Sequence, residues 1–317
     1  METPIRIGIS ACLLGTKVRY DGGQQLDPLI TETLGRFCEF VPVCPEAECG
    51  LGVPRETMRL VGDPRAPRLM TTQTGIDHTE RMLSWSRDKV AELARQGLLG
   101  FIFKAKSPSS GMARVKVYPE ATGGRPRRVG VGLFAWVLME ELPLLPVEDE
   151  GRLHDLGLRE NFCERLFALQ RWRATKAKPT GQGLIAFHGR HKLQIMAHSV
   201  QHYREMGRLV ARTEAKTLAT LFAEYEAMLL AALRLLPTAR KQVNVLHHIF
   251  GSCKKVLTMA EREELLTIID HYCQGLLPLI VPITLLNHYL RKHGQEYLAQ
   301  QSYLHPHPLE LRLRNHA

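Results

Sequence analysis

The chain of 317 residues has no long hydrophobic run. Its most apolar stretch, Leu276 to Leu286, contains Pro278 and Pro282 and spans about half of the roughly 20 residues that a bilayer crossing needs. The opening residues also lack the charged segment and apolar core of a secretory signal, so a cytoplasmic location is expected. Cysteine is sparse and odd in number, seven in all, which argues against a secreted disulfide framework and leaves the thiols for packing, metal or catalysis. Acidic residues are short in one half only. Residues 1–150 hold 19 Lys/Arg and 19 Asp/Glu, so the whole formal charge of +10 belongs to residues 151–317. Histidine is nearly absent from the first half, where His78 is the single instance among 14. A neutral half joined to a basic, histidine-rich half suggests two modules, with a polyanion near the second.

What is present reads as α/β and then all-α. Ile5, Ile7 and Ile9 alternate into Ser10-Ala11-Cys12. Asp27-Pro28 opens a short helix ending near Phe37, and residues 40–43 form a second apolar run that stops at Cys44. Met82, Trp85, Val90 and Leu93 predict a helix over 77–97. Strands are expected at 98–103 and 115–118, with a helix over 129–141. This alternation implies an α/β amino-terminal domain, residues 1–150, with a mostly parallel sheet in an open αβα sandwich. Pro143, Pro146 and the acidic trio Glu148-Asp149-Glu150 mark the boundary. Helices are expected over about 158–173, 184–212, 216–236, 240–257, 259–275 and 282–293 of an all-α domain, residues 151–317, with a capping box at Thr258 and Glu261.

Loops 10–23, 44–55 and 104–114 each follow an apolar strand. Ligand sites in open α/β sheets lie beyond the carboxyl ends of the strands, so these loops are expected to share one crevice. Cys12 and Cys44 stand just past strand ends and are candidate metal ligands, with buried structural thiols as the alternative. Glu46 is placed to move a proton beside a metal, or is a solvated surface carboxylate. Ser107-Pro108-Ser109-Ser110-Gly111, flanked by Lys104, Lys106 and Arg114, offers hydroxyls and N–H groups for an anion, or is an ordinary loop. His198 and His202, spaced i, i+4 on one helix face, lack an acidic or cysteine partner in sequence. They, with His247 and His248, are better read as core or RNA-facing residues. A zinc hydrolase acting on a nucleobase lacks its compact ligand set.

Ser10 to Gly15, Arg19-Tyr20-Asp21-Gly22, Val43-Cys44-Pro45-Glu46 and Lys104 to Gly111 together resemble the motif series of bacterial thiouracil and tRNA 4-thiouridine desulfidases, the TudS-type iron–sulfur family. His191-Lys192-Leu193 to His198-Ser199, Pro278 to Pro282, Tyr303 to Pro306 and Leu311 to His316 resemble the YbgA-like helical domain often fused to them. The resemblance implies non-redox desulfuration of 4-thiouridine, in tRNA or as nucleoside. Three cysteines would hold a 4Fe–4S cluster with one open iron, and hydrosulfide would leave through it. Cys12 and Cys44 then match ligands, while Glu46 and Ser107 match the groups that activate water and move its proton.

One position departs from the family pattern: Ser110 stands where a third ligand cysteine is expected. Three explanations are open. The serine disables the site, or Cys49 supplies the missing thiolate, or the cluster has been lost and the chain is a cluster-free RNA-binding or regulatory protein. The basic half fits a tRNA substrate gripped through its phosphates. Arg190, Lys192, Arg204, Lys254 and Lys255, with Lys176, Lys178 and Arg208, are the expected contacts.

Overall fold

The computed structural model of the chain describes residues 5–120, 124–212 and 217–315. Residue 216, the expected start of one helix, and His316 lie outside them. The chain divides into two compact units, residues 1–155 and 156–317.

In the first unit the elements run β1 (Ile5–Ser10), β2 (Cys38–Val43), β3 (Met58–Val61), β4 (Arg68–Thr71), α1 (Thr79–Arg95), β5 (Gly100–Phe103), β6 (Val115–Tyr118), β7 (Arg127–Gly130), α2 (Leu133–Glu141), β8 (Val147–Asp149) and α3 (Glu150–Leu153). The main sheet has the order β2-β1-β5-β8 and is parallel throughout. Its inner strand β1 turns Ile5, Ile7 and Ile9 to one face, each at most 1% exposed, while Arg6, Gly8 and Ser10 fall on the other. Gly8 is needed there because a Cβ at that position would stand 2.3 Å from the Phe101 ring. Helix α1 buries Met82, Ser86, Val90 and Leu93, one stripe of a helical period. Phe101, Phe103 and Phe134 meet with ring centroids 4.5–6.3 Å apart and dominate the core between the strands and helices α1 and α2.

Sequence periodicity suggests one sheet, but the structure holds two. The second has the order β4-β3-β6-β7, parallel only between β3 and β6. Its strands β3, β4 and β7 have four residues each and carry Arg59, Arg68, Arg127 and Arg128, too short and too charged to show alternation. The segment after Asp27-Pro28 is likewise not a regular helix but two short turns, Leu29–Thr33 and Leu34–Arg36. The acidic trio expected as a boundary is structural: Val147, Glu148 and Asp149 pair with Phe101, Ile102 and Phe103, so the unit runs on to Asp155.

The second unit contains α4 (Leu156–Lys176), α5 (Gly181–His198), α6 (Val200–Val210), α7 (Leu218–Arg234), α8 (Ala239–Cys253), α9 (Met259–Cys273), α10 (Ile280–Lys292) and α11 (Glu296–Ala299). Thr180, Ser199, Thr217, Thr238 and Thr258 cap five of these helices, each accepting the N–H three residues on; this satisfies donors that a helix start leaves unpaired. Ser199 breaks the expected 184–212 helix in two. His198 and His202 therefore do not share a helix face: His198 ends α5 and His202 lies in the first turn of α6, its Nδ1 2.9 Å from Ser199 Oγ. Trp172 is fully buried and stacks on Phe222 and Tyr225 at 5.2 and 4.9 Å.

Beneath this apolar packing lies a buried ion network. Arg314, from the carboxy-terminal segment, donates to Glu160 at 2.9 Å, Glu164 at 2.8 Å and the Tyr303 carbonyl at 2.6 Å. Glu164 also meets His198 Nε2 at 2.8 Å, and His198 Nδ1 lies 2.6 Å from the Leu235 carbonyl. Burial opposes the charge on Glu164, but the His198 hydrogen bond and Arg314 outweigh it and hold that carboxyl low, at about 2. Burial and the neighbouring Glu164 push Glu160 the other way, to about 7.

Candidate active site

Three loops leave the carboxyl ends of the neighbouring strands β2, β1 and β5 and enclose a cavity of about 350 Å³. Ser10 is in register with Val43, and Ile9 with Ile102. The chain positions just beyond, Cys12, Cys44 and Lys104, therefore leave the sheet side by side. The Lys104 N–H donates to Ser10 Oγ at 2.9 Å, which ties two of the loops together. Cys12, Cys44, Glu46, Lys104, Lys106, Ser107 and Ser110 all line the cavity.

Both thiols are half-buried. Burial pushes Cys12 up to about 11, against the opposing pull of the Lys104 cation, and burial likewise raises Cys44. Each would have to give up its proton to ligate a metal. The Cys44 thiol points at the Val18 carbonyl, 3.7 Å away, and its own N–H donates to Glu48 at 2.7 Å. The side chain of Ser110 has no hydrogen-bond partner among the described residues, although the residue is only 3% exposed.

The serine loop is clamped from behind. Its Pro108 and Ser109 carbonyls accept the first N–H groups of α2, from Leu133, Phe134 and Ala135, at 2.9–3.2 Å. Gly132 is obligatory at this contact, since a Cβ would stand 2.5 Å from the Ser109 carbonyl carbon. The Ser107 hydroxyl accepts the N–H groups of Ser109 and Ser110 at 3.3 and 3.1 Å. Ser109, which the motif reading passed over, donates to Glu46 at 2.7 Å, and its hydroxyl lies 3.0 Å from that of Ser107. Ser107 is thus one hydroxyl removed from Glu46.

The other Glu46 oxygen pairs with Arg55, whose side chain is 5% exposed. Arg55 also donates to the Val18 and Gly52 carbonyls at 3.0 and 3.1 Å. Nothing in the sequence marks Arg55, which follows Val53-Pro54 outside every motif. Lys104 pairs with buried Glu150, which also takes the Ala105 N–H at 2.6 Å. Its charge is therefore committed to holding the loop. Lys106 is exposed at the cavity, in the left-handed region at φ 62°. Arg114 is exposed and does not line the cavity.

Cys49 does not face the cavity. It is 7% exposed and packs with Leu60, Leu69 and Met82, and its thiol donates to the Glu46 carbonyl at 3.4 Å. Cys49, one of the explanations left open for the third thiolate, is thus a core thiol within the turn at Ala47–Leu51. In the helical unit, Lys176, Lys178, Arg190, Arg204, Arg208, Lys254 and Lys255 are exposed and Lys192 is half-buried. Lys176 is paired with Glu226.

A parallel α/β sheet with two thiols, a carboxylate and linked serine hydroxyls at its carboxyl edge makes this cavity the candidate active site. Comparison with known proteins gives it a family. Residues 7–150 match the 2-thiouracil desulfurase model, and residues 192–308 match a family described as a protein of unknown function, DUF1722. The uncharacterised protein YbgA of Escherichia coli (strain K12) is 30% identical over 153 residues, covering 48% of this chain and 90% of that protein. A solved [4Fe-4S]-dependent thiouracil desulfidase, TudS, is 27% identical with a TM-score of 0.40, covering 47% of this chain and 93% of its own. The chain carries an amino-terminal domain of the 2-thiouracil desulfurase family and a YbgA-like DUF1722 carboxy-terminal domain.

Proposed function

We propose that the chain replaces the sulfur of a thiolated pyrimidine by oxygen, with 4-thiouridine in tRNA or as nucleoside as its substrate. The observation that carries this reading is the convergence of Cys12, Cys44 and Glu46 in one cavity beyond three parallel strands. The net step converts a C=S group and water into a C=O group, hydrosulfide and a proton, with no change in oxidation state.

The donors fit an iron–sulfur group at two soft positions and one hard one. Cys12 and Cys44 would hold a 4Fe–4S cluster, with the Ser110 hydroxyl at the third position and one iron left open. Such a group, when bound, supplies a soft Lewis acid that polarises C=S and accepts sulfur. Glu46 takes the proton of the attacking water, because its carboxylate is the acidic group lining the cavity. Ser109 and then Ser107 carry that proton onward along the 2.7 and 3.0 Å hydroxyl contacts. Arg55 holds the carboxylate in place. Lys106 meets a phosphate or polar edge of the substrate, as Lys104 is already paired.

An alkoxide is a weaker partner for iron than a thiolate. The chain should therefore hold less iron, and release sulfide more slowly, than its Ser110→Cys variant. A second reading, a cluster-free RNA-binding or regulatory protein, draws on the same observation: Cys49 is turned away, so two thiols remain. Anaerobic reconstitution of both forms with iron and sulfide, followed by 4-thiouridine or thiolated tRNA, separates the readings. A Ser110→Cys form that carries a cluster yet releases no sulfide from any thiopyrimidine overturns the enzyme reading. The exposed cations of the helical unit are assigned to tRNA phosphates, so tRNA affinity should fall steeply with added salt while turnover of the nucleoside barely responds.

A further inference from the structure

We infer that Tyr20 is the stacking platform for the substrate's pyrimidine ring, with Arg19 backing it; this rests on the desulfidase reading and names the group that recognises the base. Tyr20 lines the cavity and is 43% exposed, a large aromatic with no ring partner among the described residues. The Arg19 guanidinium lies 5.6 Å from its ring centroid. Arg19 itself is fixed by Gln25 at 2.7 Å and Asp21 at 3.6 Å.

The loop is held rigidly for a surface segment. Arg19 accepts the Gly22 N–H at 2.9 Å and donates its own N–H to Gly23 at 3.2 Å. Asp21 Oδ1 takes the Gly23 N–H at 2.9 Å, and the Tyr20 carbonyl takes the Arg55 N–H at 2.8 Å. The preceding carbonyl, that of Val18, receives both the Cys44 thiol and Arg55. One peptide segment thus fastens the aromatic to a thiol and to the residue that holds Glu46.

An exposed aromatic on an ordered loop costs little entropy to use and presents a flat apolar face. A planar, uncharged heteroaromatic ring is the ligand that matches it. Aromatic stacking tolerates any base but does not hold a non-planar thiol compound. Tyr20 therefore selects for the ring, while the iron that the thiols would hold selects for its sulfur.

The test uses the full chain, purified without oxygen, and uridine, the reaction product, which is not consumed. Uridine Kd is measured by equilibrium dialysis, KM for 4-thiouridine by sulfide release, and iron content for every form. Tyr20→Ala should raise both constants by about tenfold or more at unchanged iron content, and Tyr20→Phe should stay within about twofold of the parent. Equal constants for Tyr20→Ala and the parent overturn the inference alone. So does a Tyr20→Phe loss as large as that of Tyr20→Ala, since the hydroxyl and not the ring would then be in use. If the parent binds neither uridine nor any thiopyrimidine, this inference and the desulfidase reading fall together.

Discussion

Replacing Arg314 by Met removes the cation on which the helical unit's buried carboxylates converge. Three hydrogen bonds go, to Glu160, Glu164 and the Tyr303 carbonyl, while Met keeps much of the stem's apolar contact. Breaking a buried ion pair from one side costs about 3–5 kcal/mol, because the partner charge stays behind. Here one of the two carboxylates has an exit. Glu160 is already pushed up to about 7 by burial and by Glu164, and loss of Arg314 removes a group that lowers it, so it takes up a proton. Glu164 keeps His198 as a partner, at 2.8 Å. The expected loss is therefore near the lower bound, about 3 kcal/mol, or roughly 10 °C in Tm for a unit of this size. The sign of its pH dependence follows. A carboxyl whose folded value lies above the ordinary 4.5 contributes stability below that value and loses it as pH rises through about 7. In the parent that loss ends near pH 7, whereas Glu160 without Arg314 is raised further and goes on losing stability above it, so the deficit of Arg314→Met should widen from pH 6 to pH 8. Urea titration followed by the helical circular dichroism signal measures both numbers. A loss under about 1 kcal/mol, or a deficit that narrows with rising pH, refutes the reasoning.

Cys49→Ala should cost about 1–2 kcal/mol through lost packing and leave iron uptake unchanged, whereas Cys44→Ala should abolish iron uptake; metal analysis of the two variants decides. Gly132→Ala places a methyl against the Ser109 backbone, so it should cost about 1–3 kcal/mol and lower sulfide release by displacing the serine loop. Burial holds His188 and His307 down at about 4. Their contribution is complete above the ordinary 6.5 and is lost as pH falls through about 4, so the urea midpoint should drop across that interval. Arg55→Leu strands Glu46 and two carbonyls and should lower kcat by about 100-fold, with partial recovery in Arg55→Lys. Sulfide release read against iron content separates this effect from cluster loss.

The residues that leave strand ends were legible in the sequence because a strand of alternating isoleucines stops where a loop of cysteine and serine begins. The parallel order of β2, β1 and β5 then makes three distant loops neighbours. The second sheet was not legible. Arg59, Arg68, Arg127 and Arg128 interrupt its short strands, and their pairing is decided by β6 and by the core beneath, not by local pattern. Ser199 shows the same limit in the helical unit, where an apolar periodicity runs through a capping residue without marking the break. Cys49 was ambiguous because spacing alone cannot tell which side of a turn a thiol faces. Arg55 and Ser109 act through contacts 9 and 63 residues away in sequence, so no local spacing could pair them with Glu46.

The proposed function places the removal of sulfur from a thiopyrimidine in the cavity lined by Cys12 and Cys44. The most direct measurement is sulfide and uridine formed from 4-thiouridine by the anaerobically reconstituted Ser110→Cys chain, beside the same chain with Cys12→Ala. Equimolar uridine and sulfide from the first, and neither from the second, is the predicted result. Turnover that persists at full rate without Cys12, or none from a cluster-loaded Ser110→Cys chain, contradicts it.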